Sequence, residues 1–188
     1  HTSQRTREAL IEEMRLNWQV MREAIARGIE NEEKSISGLT GGDARKIYAH
    51  RFKSYVGTAA METAAYAVGI SEVNAVMGKI VACPTAGSCG IVPAALYAAA
   101  EGDRCSEDEI VRALFTAAGI GMVIEQNASI AGASGGCQAE CGSAAAMAAG
   151  ALVELAGGTP EIVGQGVALA LKNLLGLACG GGQQMPLF

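Results

Sequence analysis

The stretch GSAAAMAAGALVELAG, residues 142–157, decides the fold class. Alanine and glycine dominate it, and side chains this small fill an interior only where helices approach one another closely. The apolar run from Ala144 to Ala156 is too short to cross a bilayer and carries Glu154, so it reads as a buried helix. A later apolar run near Val167 is interrupted by Lys172 and Asn173 and reads the same way. Aromatic residues make up 4% of the chain against 25 glycines, which favours helix-on-helix packing over a β-sandwich. The expected fold is therefore all-α, a compact helical domain with glycine-rich loops at its functional site.

The 188 residues, 50% hydrophobic and 18% charged, supply one substantial core, so a single domain over residues 1–188 is expected. A formal net charge of -5, with basic side chains interspersed among acidic ones, argues against nucleic acid as a partner. No stretch combines a basic start, an apolar run and a cleavage site, and nothing reads as a membrane span. The six cysteines sit in apolar or glycine-rich contexts rather than in a short disulfide scaffold. The expectation is a cytoplasmic protein whose reduced thiols are available for metal or cluster chemistry.

Outward from the alanine-rich stretch, the rest of the chain also reads as helices. Leu10, Met14, Trp18, Met21 and Ile25 form one stripe over residues 6–27, ended by Gly28. Turn residues fill 35–42, after which Asp43 is expected to cap a helix over 44–54. Residues 58–75 form another helical run, bent or stopped near Gly69, and GKIVACPTAGSCGIVP, residues 78–93, is irregular. KIVAC has no partner strand, so it is expected to be extended rather than part of a sheet. Pro93 suits the first turn of a helix reaching Ala100. Ser106 and Glu109 form a capping box opening a helix over 108–120, and Thr159-Pro160 opens one over 161–175.

Three constellations could carry chemistry. The first is GASGGCQAECG, residues 132–142, which sets Cys137 and Cys141 four positions apart. On a helix both could reach one metal, but no second pair or nearby histidine accompanies them; a disulfide within one turn would constrain little; simple packing against alanines is the plain alternative. Cys137 follows two glycines at an apparent helix start, where backbone N–H groups and the helix dipole favour a thiolate. Cys141, one turn further in, lacks that advantage and reads as a bystander. The second is CPTAGSCG, residues 83–90, whose small residues and hydroxyls resemble an anion nest framed by Pro84 and Pro93. A plain turn before a helix competes with that reading, and Cys83 and Cys89 have neighbours that suit packing. The third is EQNASIAG, residues 125–132, where Asn127 and Ser129 could contact a ligand near Cys137 or simply cap the turn. His50, on a polar helix face, is read as solvated, with no catalytic role.

Taken in order, SEVNAVMGKIVACPTAGSCGIVPAALYA, EQNASIAGASGGCQAECGSAAAMAAGALVELAGGTPE and ALKNLLGLAC resemble the α chain, or α domain, of the iron–sulfur-dependent L-serine dehydratases. The resemblance spans roughly residues 35–179, and its ordered motifs are far more specific than a lone glycine fingerprint. It implies a 4Fe-4S cluster held by cysteine thiolates, no pyridoxal phosphate, and a Lewis-acidic iron that assists loss of the β-hydroxyl of L-serine. Cys137 and Cys179 match cluster cysteines. Thr85, Ala86, Gly87 and Ser88 match the loop that holds the serine carboxylate, and Asn127 and Ser129 match a motif near the site. The general base is not identified by these matches.

The sequence also departs from the family pattern. A third cluster cysteine is expected after LGLAC, whereas Cys179 is followed here by GGGQQMPLF. The expectation is a chain incomplete at its C-terminal end, which alone neither holds an intact cluster nor is active. The resemblance further implies a β subunit or β domain and an oligomeric enzyme. Two alternatives accompany this reading: a related lyase acting on L-cysteine or another small amino acid, and a non-catalytic cluster-binding subunit.

Overall fold

A computed structural model describes residues 5–101 and 104–175. Seven α-helices follow one another among these residues: α1 (Arg7–Glu30), α2 (Asp43–Ala49), α3 (Thr58–Ala75), α4 (Ile91–Ala100), α5 (Glu107–Asn127), α6 (Gly132–Leu155) and α7 (Pro160–Leu174). No strand occurs among the described residues, and KIVAC, between α3 and α4, forms neither helix nor strand. The all-α expectation is met. No helix among the described residues is long and apolar enough to cross a membrane.

The alanine-rich stretch acts as its composition suggests. Ala144, Ala146, Ala148 and Ala151 are buried on α6, which packs between α5 and α7. Gly150 marks the tightest approach, since a Cβ there would lie 2.2 Å from Ile120 Cδ1 and 3.2 Å from Val167 Cγ2. The core also uses rings. Trp18, Tyr97, Tyr66 and Tyr48 succeed one another at centroid distances of 6.4, 5.0 and 6.1 Å, the central pair edge to face, and join α1 to α4, α3 and α2. These rings share the core with small side chains: Trp18 lies in one cluster with Ala148 and Ala151, and Tyr66 in another with Ala24 and Ala94.

Two glycines expected to end or bend helices have a different role. α1 runs through Gly28 to Glu30, and α3 runs through Gly69 to Ala75. A Cβ on Gly28 would sit 2.4 Å from the Gly69 carbonyl carbon, so these residues form the contact at which the two helices cross. Helix propensity argued for a stop; the gain from close packing overrides it.

Other boundaries shift for local reasons. α2 begins at Asp43 itself, because Gly42 (φ 79°) turns the chain and the Asp43 N–H donates to Glu72 Oε1 at 2.7 Å. The cap comes from α3, not from Asp43. A 3₁₀ turn, Arg51–Lys53, replaces the expected end of α2; Arg51 pairs with Glu62 at 2.9 Å and lies over the rings of Tyr48 and Phe52. α5 opens on the expected Ser106–Glu109 capping box but continues past Ile120 to Asn127. Its Gly121 faces Met147, where a Cβ would come within 3.0 Å of Sδ. Thr159 caps α7 as expected, accepting from the Ile162 N–H at 3.5 Å.

The Gly28–Gly69 crossing makes a direct prediction. Gly28→Ala is expected to lower unfolding stability by about 1–3 kcal/mol, the usual cost of overpacking. Gly164→Ala, in α7 with nothing within 4 Å of the added Cβ, should leave stability unchanged or raise it slightly. Denaturant unfolding midpoints compare the two.

Candidate active site

The CPTAGSCG segment forms a tight turn before α4. Ala86–Ser88 is a 3₁₀ turn closed by a Thr85/Ser88 capping box: the Thr85 N–H donates to Ser88 Oγ at 3.4 Å, and the two hydroxyls lie 3.0 Å apart. The buried Ser88 hydroxyl also reaches the Cys83 carbonyl at 3.4 Å. Asn74, at the end of α3, donates its Nδ2 to the Ala86 carbonyl at 3.2 Å and fixes the turn from below. Gly90 rests on α3, where a Cβ would lie 2.2 Å from the Ala67 carbonyl oxygen. Ala86 and Gly87 are the exposed part of the turn.

The GASGGCQAEC segment belongs to α6, but the helix is broken inside it. Gly136 has φ 69° and ψ -170°, a combination open to glycine and strained for any other residue. The break makes Cys137 the first residue of the long part of α6, exposed to solvent, while Cys141 is half-buried one turn further in. This is the helix-start setting from which the sequence separated the two thiols.

One side chain joins the loop to the helix. Thr85 Oγ1 donates to Glu140 Oε2 at 2.7 Å, although the two residues are 55 positions apart in sequence. Gly87 and Gly132 make room for the carboxylate, since a Cβ on either would come within 2.7 or 2.8 Å of Glu140 Oε1. Glu140 lies three residues after Cys137, on the same helix face. Its position was legible in CQAEC from that spacing, yet sequence reasoning passed over it in favour of the cysteines.

Beside this joint lies a cleft of about 290 Å³ whose walls include Asp43, Ser71, Glu72, Ser88 and Cys141. Glu72 is 1% exposed; Oε1 holds the Asp43 amide, and Oε2 has no hydrogen-bond partner among the described residues. Nothing in the polar run SEVNA signals a buried carboxylate, so this residue also escaped the sequence. A hollow of about 630 Å³ lies between α1 and α5, lined by Arg7, Arg15 and Arg112, away from both motifs.

The remaining candidates have local partners. Asn127 ends α5 and donates its Nδ2 to the Val123 carbonyl at 2.7 Å. Ser129 Oγ accepts from the Ala131 N–H at 3.2 Å and pairs with the Ser134 hydroxyl, so the two residues shape the turn leading into α6. His50 is exposed and bonds the Lys46 carbonyl through Nδ1 at 2.9 Å, closing α2. Cys179 lies outside the described residues.

The thiols divide by environment. Burial pushes the Cys83 thiol up to about 12 and the Cys89 thiol up to about 11, and Cys83 Sγ is directed at the carbonyls of Val81 and Cys89, both at 3.7 Å. Neither suits a metal thiolate. No group of three or more His, Cys, Asp or Glu side chains able to hold a metal occurs among the described residues. The donor chemistry present fits one corner of an iron–sulfur cluster, at Cys137.

An all-helical domain that presents a helix-start cysteine beside a hydroxyl-bearing turn belongs to the class of scaffolds that build a site from loops between packed helices. Residues 1–185 match the family described as serine dehydratase alpha chain, and the chain belongs to that family. It is 48% identical over 179 residues to the "Probable L-serine dehydratase, alpha chain" of Bacillus subtilis, covering 94% of this chain and 59% of that protein. It is 46% identical over 162 residues to the "L-serine dehydratase, alpha chain" of Peptoniphilus asaccharolyticus, covering 85% of this chain and 56% of that one. Against the "L-serine dehydratase" of Streptomyces coelicolor, identity is 41% over 179 residues, covering 90% of this chain and 39% of that protein. The chain thus spans a little over half the length of the two alpha chains.

The division of thiols is testable in the cluster-free protein. Cys137 is expected to be alkylated by iodoacetamide at neutral pH while Cys83 and Cys89 react only on unfolding, as peptide mass spectrometry would resolve. Because the two buried thiols titrate higher when folded than the usual 9.0, their contribution to stability is intact below pH 9 and is lost as the pH rises towards 11–12. Denaturation midpoints in Cys83→Ala should fall less steeply over that alkaline range than in the parent protein.

Proposed function

We propose that the chain is the α subunit of an L-serine ammonia-lyase that converts L-serine to pyruvate and ammonia. The observation that carries this reading is the Thr85–Glu140 hydrogen bond of 2.7 Å, which brings the loop and the Cys137 helix together in a member of the serine dehydratase alpha chain family. A 4Fe-4S cluster, when bound, supplies Lewis acidity that eases loss of the β-hydroxyl. Cys137 and Cys179 are the residues of this chain that would hold it.

The chain's own residues do the rest of the binding. The exposed backbone at Ala86 and Gly87 receives the serine carboxylate, while the Thr85 and Ser88 hydroxyls, engaged within the turn and on Glu140, keep that backbone in place. Asn127 and Ser129 set the approach to Gly132 and so the position of the Cys137 helix start. Loss of the Cα proton and of the β-hydroxyl, together one water, gives an enamine that tautomerises to an imine, which water hydrolyses to pyruvate and ammonia.

A β subunit or β domain completes the site in this reading. Its support is the name alpha chain carried by the relatives, and a stretch of exposed apolar side chains, Ile36, Leu39, Phe52, Tyr55 and Val56, around α2. The reading takes the enzyme to be oligomeric and cytoplasmic.

Anaerobic assembly of the complete enzyme with iron, sulfide and the β partner is expected to give a brown protein that forms pyruvate from L-serine. Cys137→Ser should lose both colour and turnover, and Cys141→Ser should keep both. A colourless, inactive parent enzyme, or a Cys137→Ser variant with full activity, contradicts the proposal.

A further inference from the structure

We infer that Glu140 receives the α-ammonium of the substrate and makes the site selective for amino acids over the corresponding hydroxy acids. The inference rests on the L-serine reading above and assigns a part of the site that reading leaves open. Only Oε2 of Glu140 is taken up by Thr85, at 2.7 Å. Oε1 faces Gly87 and Gly132, the two positions where a Cβ would intrude to within 2.7 and 2.8 Å, so the lack of two side chains lets the carboxylate lie directly against the turn and the start of α6. Gly87 is also the exposed residue of the turn proposed to hold the carboxylate, and Cys137 lies three residues back on the same helix face as Glu140.

The charges decide what can bind at this joint. A carboxylate beside an anion-holding turn repels a ligand that carries only a carboxylate, and attracts one whose ammonium lies next to its carboxylate, as in every α-amino acid. With the carboxylate at Ala86–Gly87, the ammonium at Glu140 Oε1 and the β-hydroxyl towards Cys137, the three polar groups of L-serine meet three different parts of the same joint. A hydrogen bond from an ammonium to a carboxylate is of the charge-assisted kind, so its loss should be felt strongly in binding.

Glu140→Gln tests this in the complete, anaerobically assembled enzyme, because glutamine keeps the shape and an acceptor for Thr85. L-Serine is the substrate and 3-hydroxypropanoate, which lacks only the amino group, is the competitive inhibitor. The KM for L-serine is expected to rise by roughly ten- to a hundred-fold, matching the usual weight of a charged hydrogen bond, while the inhibition constant of 3-hydroxypropanoate falls. Glu140→Asp, which keeps the charge, should retain the parent's preference for serine over the hydroxy acid. Both constants rising together in Glu140→Gln assigns Glu140 to loop support and overturns the inference, as does no change in either, or a fall in kcat at constant KM. A parent enzyme that forms no pyruvate from L-serine overturns instead the reading on which the inference rests.

Discussion

The hydrogen bond from Thr85 to Glu140 is the constraint on which the site depends. It joins a turn that precedes α4 to a helix that follows α5, across 55 residues of sequence, and it does so with a charged acceptor. Such bonds contribute about 1.5–3 kcal/mol where they are shielded from water. Its larger effect is positional. The turn is also tied to α3 through Asn74 and Gly90, and α6 packs on α4, α5 and α7 as well as on the turn.

Glycine sets the geometry of that joint at each approach. Gly87 and Gly132 admit the carboxylate, and Gly136 breaks α6 so that a new helix start falls at Cys137. The same device recurs away from the site, where Gly28 meets Gly69 and Gly150 meets Ile120. A chain with few large side chains is thereby packed tightly enough to hold short polar contacts in register. Where tight approach is not available, between α1 and α4, the rings of Trp18, Tyr97 and Tyr66 fill the space.

The fold class was legible because alanine-rich amphipathic runs carry a helical period and leave no material for a sheet. The helix ends were less so, and for a common reason. Gly28 and Gly69 follow propensity rules as stops but obey packing instead, and no single-segment pattern shows which glycine faces another helix. The cap of α2 was misplaced because its acceptor, Glu72, lies on α3. At the site, CPTAGSCG and the GGC helix start were visible as local chemistry, since a turn and a helix terminus are local objects. Their meeting was not visible, because Glu140 reads as one more polar residue until Thr85 is beside it. Asn127 and Ser129 turned out to have local partners in the turn into α6, a role that capping chemistry had already offered.

The chemistry proposed for this chain reduces to one placement: a metal-binding thiolate at Cys137, facing the turn that Glu140 ties to its own helix. Buried Cys83 and Cys89, whose thiols are held protonated by their surroundings, lie outside that arrangement although they are nearer the turn in sequence. Anomalous diffraction at the iron edge, from anaerobic crystals of the complete enzyme, tests this most directly. The account predicts iron bonded to Cys137 Sγ, on the side of α6 that carries Glu140 and the Thr85–Ser88 turn. Iron bonded to Cys83 or Cys89, or a Cys137 thiol with no iron beside it, would contradict it.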